Sequence, residues 1–151
     1  MSVCAFIAAN VPLPFAAPSR EYPVEINIDT GEIFDGGADD NFYLQEFLDV
    51  SDYTDKRFGV WLDWNPTPGR AVKILQYIQN VLQSTDTVEI WHVWLPGYHE
   101  FEDRPVLHKR AASIQKLTAE DLLELDDAEI WNRPDKRCPE RPSFYCLTVK
   151  A

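Results

Sequence analysis

Three histidines and four carboxylates fall between residues 89 and 108, and side chains of these types can bind a metal ion. The histidines are His92, His99 and His108, and the acids are Glu89, Glu100, Glu102 and Asp103. Imidazole nitrogen and carboxylate oxygen are both ligands of Zn²⁺, but the spacing matches no metal signature such as H-E-x-x-H. His92 stands between Trp91 and Trp94, so we interpret it as a core histidine and predict no metal site.

A second group of oxygen ligands lies in the loop from Asp35 to Asn41. Its three aspartates and one asparagine are the hard donors that Ca²⁺ prefers. The loop lacks the spacing of the helix-loop-helix calcium motif, however, and Asp-Gly-Gly is ordinary turn chemistry. We predict no bound calcium and no other cofactor.

A third arrangement places carboxylates beside aromatic rings. Asp63 lies between Trp61 and Trp64, and Glu89 lies on a later predicted strand. Glycoside hydrolases use paired carboxylates, one of them held protonated by an apolar wall. Alternation along a strand allows only one of the two tryptophans to share the face of Asp63. A small carboxylate-dependent hydrolase is therefore an alternative, with no catalytic residue assigned.

Other catalytic and phosphate-binding motifs are missing from the sequence. There is no G-x-S-x-G and no G-x-G-x-x-G, and Gly36-Gly37 is not followed by Lys-Ser or Lys-Thr. These observations favour a role that is not catalytic.

The distribution of charge is the most distinctive property of the sequence. The chain has 25 acidic and 14 basic residues and a net charge of −11. The stretch Glu25–Asp63 contains eleven carboxylates and two cations, whereas acids and bases balance from Val106 to the end. A negative protein repels phosphate backbones and anionic lipid, so we expect neither a nucleic-acid partner nor a membrane partner.

An acidic face of this kind suits the binding of a basic protein. Charge accelerates the encounter, and aromatic side chains provide the anchors. We predict that the acidic face includes Asp35, Asp39, Asp40, Asp49, Asp52 and Asp55, with Tyr43, Phe47, Tyr53 and Phe58 as anchors if they are exposed. The leading hypothesis is an acidic protein-binding module of the immunity or inhibitor type. Besides the hydrolase, a non-catalytic subunit of a larger complex remains an alternative.

The three cysteines indicate a reducing environment. Cys4 and Cys146 lie in apolar runs, Cys138 lies in a proline-rich segment, and none forms a C-x-x-C motif. We expect free thiols and a cytoplasmic protein. No basic segment precedes the first apolar run, and no run approaches the ~20 residues that span a bilayer, so neither a signal peptide nor a membrane helix is expected.

Hydrophobic periodicity predicts the elements that position these residues. A short apolar run predicts a buried strand at 4–9, and further strands are predicted at 24–29, 32–35, 59–64, 87–95, 106–114 and 144–149. Residues 24–29 have the pattern of a half-buried strand, and both faces of 87–95 are apolar, which is typical of a central strand. If strands 87–95 and 106–114 pair, His92 and His108 approach each other. Residues 42–50 fit either a strand or a helix, and we favour a strand.

Two helices are predicted by their caps and apolar faces. Thr67 and Pro68 begin a helix over 68–83, whose apolar side includes Ile74, Leu75, Ile78 and Leu82. Thr118 begins a second helix that continues to Asp127, with Asp121 completing the capping pair. Because the strands cluster rather than alternate with helices, we predict one α+β domain over residues 1–151, with a mixed or largely antiparallel sheet and both helices on one face.

The first residues of the chain carry one resemblance. Cys4-Ala5-Phe6-Ile7-Ala8, followed by Pro12-Leu13-Pro14, is similar to the start of some small bacterial proteins of uncharacterised function. The resemblance covers about a dozen residues and implies a bacterial cytosol. It implies no activity, cofactor or site residue.

Overall fold

The computed structural model describes residues 2–95, 106–126 and 143–151. Within them the strands are β1 (Ser2–Ala9), β2 (Glu25–Ile26), β3 (Ile33–Phe34), β4 (Phe42–Glu46), β5 (Phe58–Trp64), β6 (Thr87–Leu95), β7 (Val106–Ser113) and β8 (Ser143–Lys150). The helices of this part of the chain are α1 (Pro68–Val81), α2 (Ala119–Asp126) and a 3₁₀ helix at Leu48–Asp52. Some residues of the sequence hypotheses lie outside the described ranges, namely His99, Glu100, Glu102, Asp103, Cys138 and the predicted end of the second helix, Asp127.

The described strands form a six-stranded sheet and a separate two-stranded hairpin. The order of the large sheet is β4-β5-β1-β6-β8-β7. Its neighbouring strands are antiparallel except for β7 and β8, which are parallel. The sheet is therefore mixed, and the prediction of an α+β fold is confirmed. Strand β6 lies between β1 and β8, as the apolar character of its two faces predicts.

Helix α1 begins where the sequence predicts. The Oγ1 atom of Thr67 accepts a hydrogen bond of 3.2 Å from the backbone amide of Arg70, and Pro68 occupies the first helical position. A threonine cap satisfies an amide that has no partner within the helix, and proline fixes the φ angle that this position needs. The helix ends at Val81, two residues before the predicted end. Ile74 and Ile78 are buried on its inner side.

Both helices cover the same face of the sheet. Thr118 and Asp121 form the predicted capping pair, since Asp121 Oδ2 accepts a hydrogen bond of 2.8 Å from the Thr118 amide. Leu122 and Leu125 of α2 join Ile74 and Ile78 of α1 in one buried aliphatic cluster with residues of β1, β5, β6 and β8. The prediction of two helices on one face is confirmed.

The opposite face of the sheet carries a second, largely aromatic core. It contains Cys4, Phe6, Ala8, Phe47, Val50, Tyr53, Trp91, Val93, Phe144 and Cys146. The Phe6 ring stacks on that of Trp91 with centroids 5.8 Å apart, and the Phe47 ring lies 4.6 Å from it on a tilt. This core is covered by the 3₁₀ helix and its flanking residues rather than by a long helix.

The 3₁₀ helix corrects the prediction for residues 42–50. The strand ends at Glu46, and the chain turns into the 3₁₀ helix at Leu48. Phe47, Val50 and Tyr53 are spaced three residues apart, which places them on one side of a 3₁₀ helix. A strand through Val50 would place Phe47 and Val50 on opposite faces, whereas both side chains are buried in the aromatic core.

The hairpin corrects the prediction for residues 24–29. Strands β2 and β3 pair with Glu25 opposite Phe34 and Ile26 opposite Ile33. The pattern correctly predicts a hairpin, but all residues from 23 to 34 are exposed. Alternation identifies the faces of a strand, whereas burial needs a second layer, and no described residue buries the apolar face of this hairpin.

None of the helices in the described ranges is long and apolar enough to cross a membrane.

Candidate functional site

The hairpin (residues 24–34) is held by a well-defined turn. The Oδ1 atom of Asn27 accepts hydrogen bonds from the amides of Asp29 and Thr30, at 3.0 and 3.3 Å. The amide of Gly31 donates to the Asn27 carbonyl at 2.8 Å, and Gly31 adopts a φ of 72°. Glycine tolerates this left-handed conformation without steric cost, so the turn is closed by its own sequence.

Large apolar side chains cover the hairpin and face solvent. Ile26 and Ile33 are 64% and 63% exposed, and Ile28 at the tip is 93% exposed. Val24 shares the face of the paired isoleucines because it lies two residues before Ile26. Exposed apolar groups that are contiguous and rimmed by polar groups mark interaction sites more often than scattered ones do. The hairpin therefore presents an apolar surface for another molecule.

Carboxylates lie on the same hairpin as this apolar surface. The hairpin carries Glu25, Asp29 and Glu32, and no lysine, arginine or histidine occurs anywhere between Arg20 and Lys56. Glu25 faces the side opposite Ile26 because neighbouring residues of a strand point to opposite faces. The other face carries Glu25 beside the exposed Phe34, so the hairpin is apolar on one face and mixed on the other.

Arg70 anchors the C-terminal end of the hairpin. Its guanidinium is fully buried and binds both carboxylate oxygens of Asp35, with Nη2–Oδ1 and Nη1–Oδ2 distances of 2.9 Å. Nε also donates to the Ala38 carbonyl at 2.9 Å, and Nη1 donates to the Asn65 carbonyl at 2.7 Å. Hydrogen bonds from Arg70 lower the pKa of Asp35 to about 2. Asp35, which we predicted as part of a binding face, is therefore bound within the fold.

Asp40 binds the segment that leads into the N-terminal strand of the hairpin. Its carboxylate accepts a hydrogen bond of 3.1 Å from the Ser19 amide and another from the Tyr22 hydroxyl. Hydrogen bonds from Ser19 and Tyr22 hold the pKa of Asp40 well below its usual range. Because the chain enters the hairpin just after Tyr22, this contact fixes its base. Asp40 is thus also bound within the fold.

Asp39 is exposed but lies against the start of α1. A methyl group added at Gly69 would overlap the Asp39 carboxylate. The first turn of a helix has free amide groups and a positive end of the helix dipole, which a nearby carboxylate favours. Three of the six predicted acids therefore lie around the base of the hairpin and the start of α1.

The other three predicted acids lie around the 3₁₀ helix, on the face of the sheet that the long helices leave uncovered. Asp49, Asp52 and Asp55 are all exposed. Val50 of this helix packs directly on β5, since a methyl group added at Gly59 would lie 2.8 Å from Val50 Cβ. The six acids thus belong to two regions rather than to one continuous face.

Three of the four predicted anchors are not exposed. Phe47 and Tyr53 are buried in the aromatic core, so they are wrong as docking anchors. Phe58 is half-buried, with the Arg57 guanidinium 5.7 Å from its ring. Tyr43 is 40% exposed and stays a candidate.

Tyr43 belongs to an exposed polar and aromatic patch on β4 and β5. The antiparallel register places Tyr43 opposite Asp63 and Gln45 opposite Trp61. Trp61 also lies opposite Phe6 of β1, which assigns the four side chains to the face of the aromatic core. All four are exposed, Trp61 by 38%. We call Tyr43, Gln45, Trp61 and Asp63 the platform.

The structure separates the two carboxylates of the hydrolase hypothesis. Glu89 lies level with Ala8 and hence with Gly59, four residues before Asp63 on β5, and β1 lies between the two strands. Standard strand geometry puts their Cα atoms roughly 16 Å apart, beyond the carboxylate spacing of glycoside hydrolases. Glu89 is buried and accepts hydrogen bonds from Trp91 Nε1 at 2.9 Å and from Thr54 Oγ1 at 2.8 Å. Both of its carboxylate oxygens therefore accept hydrogen bonds from neighbouring side chains.

His92 and His108 lie on either side of Tyr145. Strand β8 runs between β6 and β7, so the strands of the two histidines do not pair. The His108 ring stacks on Tyr145 at 5.2 Å and the His92 ring meets it edge-on at 6.1 Å. Burial lowers the pKa of both histidines. No group of three or more potential metal ligands occurs among the described residues.

A small cavity lies beside His92 under the two helices. It has a volume of about 10 Å³ and is lined by Ala5, Trp64, His92, Leu122 and Leu125 among others. In the described part of the chain, Trp64 Nε1 and His92 Nδ1 are buried without a hydrogen-bond partner. A cavity of this size is at the lower limit for one water molecule.

The two described cysteines are buried free thiols, as the sequence predicts. Burial raises the pKa of Cys4 and of Cys146 to about 12. A thiol with such a pKa is almost entirely protonated at neutral pH, so neither cysteine is a nucleophile here.

The fold and the surfaces described above define an α+β protein with an exposed acidic hairpin. The chain matches no protein-family model, no curated protein and no solved structure. The hairpin and the platform are the candidate functional surfaces of the described residues.

Proposed function

We propose that the protein is an acidic protein-binding module whose hairpin docks onto a basic protein. The observation that carries this proposal is the exposed apolar face of Val24, Ile26 and Ile33, with Ile28 at the tip. Binding would be of the immunity or inhibitor type, in which an acidic protein covers a functional surface of a basic one. The buried free thiols Cys4 and Cys146 are compatible with a cytoplasmic location, which is part of the proposal.

The energetics of the hairpin support an apolar contact. Complete burial of one isoleucine side chain contributes about 1.5–3 kcal/mol, so a few such side chains provide the strength of a typical docking anchor. An isolated two-stranded hairpin is marginally stable, and ordering it on binding costs free energy. The contacts of Asp35 and Asp40 at its base reduce this cost because they hold the hairpin in place before binding.

The charges of the hairpin support a basic partner. The hairpin carries Glu25, Asp29 and Glu32, and the sequence has no lysine, arginine or histidine between Arg20 and Lys56. A negative field of this kind speeds the encounter with a cationic surface and repels acidic proteins. The effect weakens as salt rises, because exposed charges are screened.

The experiment compares two immobilised proteins in capture from a lysate of the cells in which the gene is native. One is the wild type and the other carries Ile26→Thr, Ile28→Thr and Ile33→Thr, substitutions that keep β propensity. Val72→Thr is the matched control, since Val72 is exposed on α1 at 44%. Captured proteins are quantified by mass spectrometry at low and high salt.

We expect a protein of high isoelectric point that binds the wild type and the Val72→Thr control, is lost from the triple variant, and binds less at high salt. Capture of the same proteins by the triple variant would contradict the assignment of the hairpin. Co-purification with a stoichiometric assembly of several subunits would instead favour the non-catalytic subunit.

A further inference from the structure

The platform brings two aromatic rings and one carboxylate together on neighbouring strands of the sheet. Tyr43 lies directly opposite Asp63, and Trp61 precedes Asp63 by two residues on the same strand. Directly opposed residues have Cβ atoms about 4.5–5.5 Å apart, and diagonal neighbours such as Tyr43 and Trp61 about 7–8 Å. One planar group of a ligand can therefore reach both rings and the carboxylate.

The three side chains are available to a ligand. Tyr43 and Trp61 are 40% and 38% exposed, and Asp63 is exposed as well. Among the described residues, neither ring stacks on another ring, and Asp63 makes no ion pair. The 3₁₀ helix packs on Gly59 of the same strand and the same face, and it carries the exposed Asp49. This helix therefore adds a carboxylate to the same face of the sheet.

This chemistry fits a cation with a flat face. The π face of tryptophan or tyrosine attracts a cation whose centre lies within about 6 Å of the ring, and a carboxylate beside the ring supplies the opposite charge. A guanidinium stacks on the ring and at the same time donates two parallel hydrogen bonds to a carboxylate, which an ammonium group cannot do. The combination of rings and carboxylate therefore favours arginine over lysine.

We propose that Tyr43, Trp61 and Asp63 bind one arginine side chain of the partner, with the guanidinium on the Trp61 ring and its N–H groups donating to Asp63. The proposal rests on the proposed function, because a basic partner supplies the arginine. It adds a second contact on the main sheet, separate in sequence from the hairpin. Gln45, opposite Trp61, offers a further acceptor at the margin of the platform.

The test uses three blocked tripeptides, with arginine, lysine or the neutral isostere citrulline between two glycines. Each is titrated into ¹⁵N-labelled protein while the backbone amides and the tryptophan indole N–H signals are followed by NMR. Trp61→Phe identifies the indole signal of Trp61. We expect saturable shifts at residues 43, 45, 61 and 63 with the arginine peptide, weaker shifts with lysine, and none with citrulline.

Two variants test the assigned contacts. Asp63→Asn should weaken binding of the arginine peptide about two- to fivefold, the range for an exposed ion pair. Trp61→Leu should weaken it by a similar factor through loss of the cation–π contact. Asp86→Asn is the matched control, because Asp86 is an exposed aspartate in a loop away from the platform and should leave binding unchanged.

Several results would overturn the proposal. Equal shifts with arginine and lysine would mean that the surface detects charge alone, and shifts with citrulline would exclude a cation site. Shifts that appear on dilution of the protein alone would assign the platform to a second copy of the chain. The titration needs no partner protein, so its failure leaves the hairpin proposal standing. Retained capture by the hairpin variant would contradict the hairpin proposal and leave the arginine site standing.

Discussion

The carboxylates at the base of the hairpin and those on the 3₁₀ helix come from one acidic stretch of sequence, but their environments differ. Asp35 binds the buried guanidinium of Arg70, and Asp40 binds Ser19 and Tyr22. Asp49, by contrast, is exposed on a helix that contacts the sheet through Val50. Sequence proximity therefore does not define a binding face.

The difference assigns separate roles to the two regions. The acids at the hairpin base stabilise the fold and hold the apolar hairpin in position. The acids of the 3₁₀ helix and the platform contribute to the negative field that a partner meets. Neutralising the first set should change stability, and neutralising the second should change the encounter rate.

The largest expected effect is on the ion pair of the hairpin base. Asp35→Asn should lower the free energy of unfolding by about 3 kcal/mol, because it leaves the buried charge of Arg70 without its counter-ion. The matched change Asp49→Asn should cost less than about 0.5 kcal/mol, as for ordinary surface positions. Urea unfolding of both variants measures the difference. Equal losses of unfolding free energy in the two variants would mean that the acids at the hairpin base and those on the 3₁₀ helix contribute alike to stability.

The next effect concerns the packing of the 3₁₀ helix on Gly59 of β5. Gly59→Ala should cost about 1–3 kcal/mol, because the new methyl group would lie 2.8 Å from Val50 Cβ and 3.4 Å from Phe47 Cδ1. Gly69→Ala is the control: there the neighbour is the flexible Asp39 carboxylate, and alanine favours the helix. We expect Gly69→Ala to be neutral or stabilising by thermal unfolding. A similar loss for both would mean that the 3₁₀ helix is not packed as described.

The elements of the scaffold could be predicted from sequence because their signals are local. The helix start at Thr67 and Pro68 is one such signal, and the alternation over 87–95 is another. Each depends only on residues that are close together in the sequence. The 3₁₀ helix also has a local signal, the three-residue spacing of Phe47, Val50 and Tyr53, but a strand pattern overlaps it. The binding face could not be predicted in the same way, because Asp35 meets its partner Arg70 across 35 residues of chain.

The exposure of the hairpin could not be predicted either. Val24, Ile26 and Ile28 alternate with polar residues just as a half-buried strand does, and only the arrangement of the other elements decides whether a layer covers them. Each strand of the hairpin has two residues, and within the described part of the chain no third strand pairs with them.

Acid should lower the stability of the protein mainly by protonating Asp35 and Asp40 at the base of the hairpin. The folded pKa of Asp35 is about 2, below its ordinary value of 3.8, so its ionised form stabilises the protein fully above about pH 4. That contribution is lost as the pH falls from about 4 towards 2, and Asp40 acts in the same direction. Urea unfolding across this range should show falling stability for the wild type and a shallower fall for Asp35→Asn. Identical slopes would mean that other groups dominate acid unfolding.

The smallest expected effect is local opening of the hairpin. Tyr22→Phe removes the hydroxyl that donates to Asp40 but keeps the ring, so the global fold should remain intact. Loss of one hydrogen bond at the base should raise hydrogen exchange at the amides of Asn27 and Gly31 about two- to tenfold, because both close the hairpin turn. Tyr43→Phe removes an equivalent hydroxyl from the platform and should leave these two amides unchanged. If Tyr22→Phe leaves their exchange unchanged as well, Asp40 does not hold the hairpin, and its order depends on Arg70 and the turn alone.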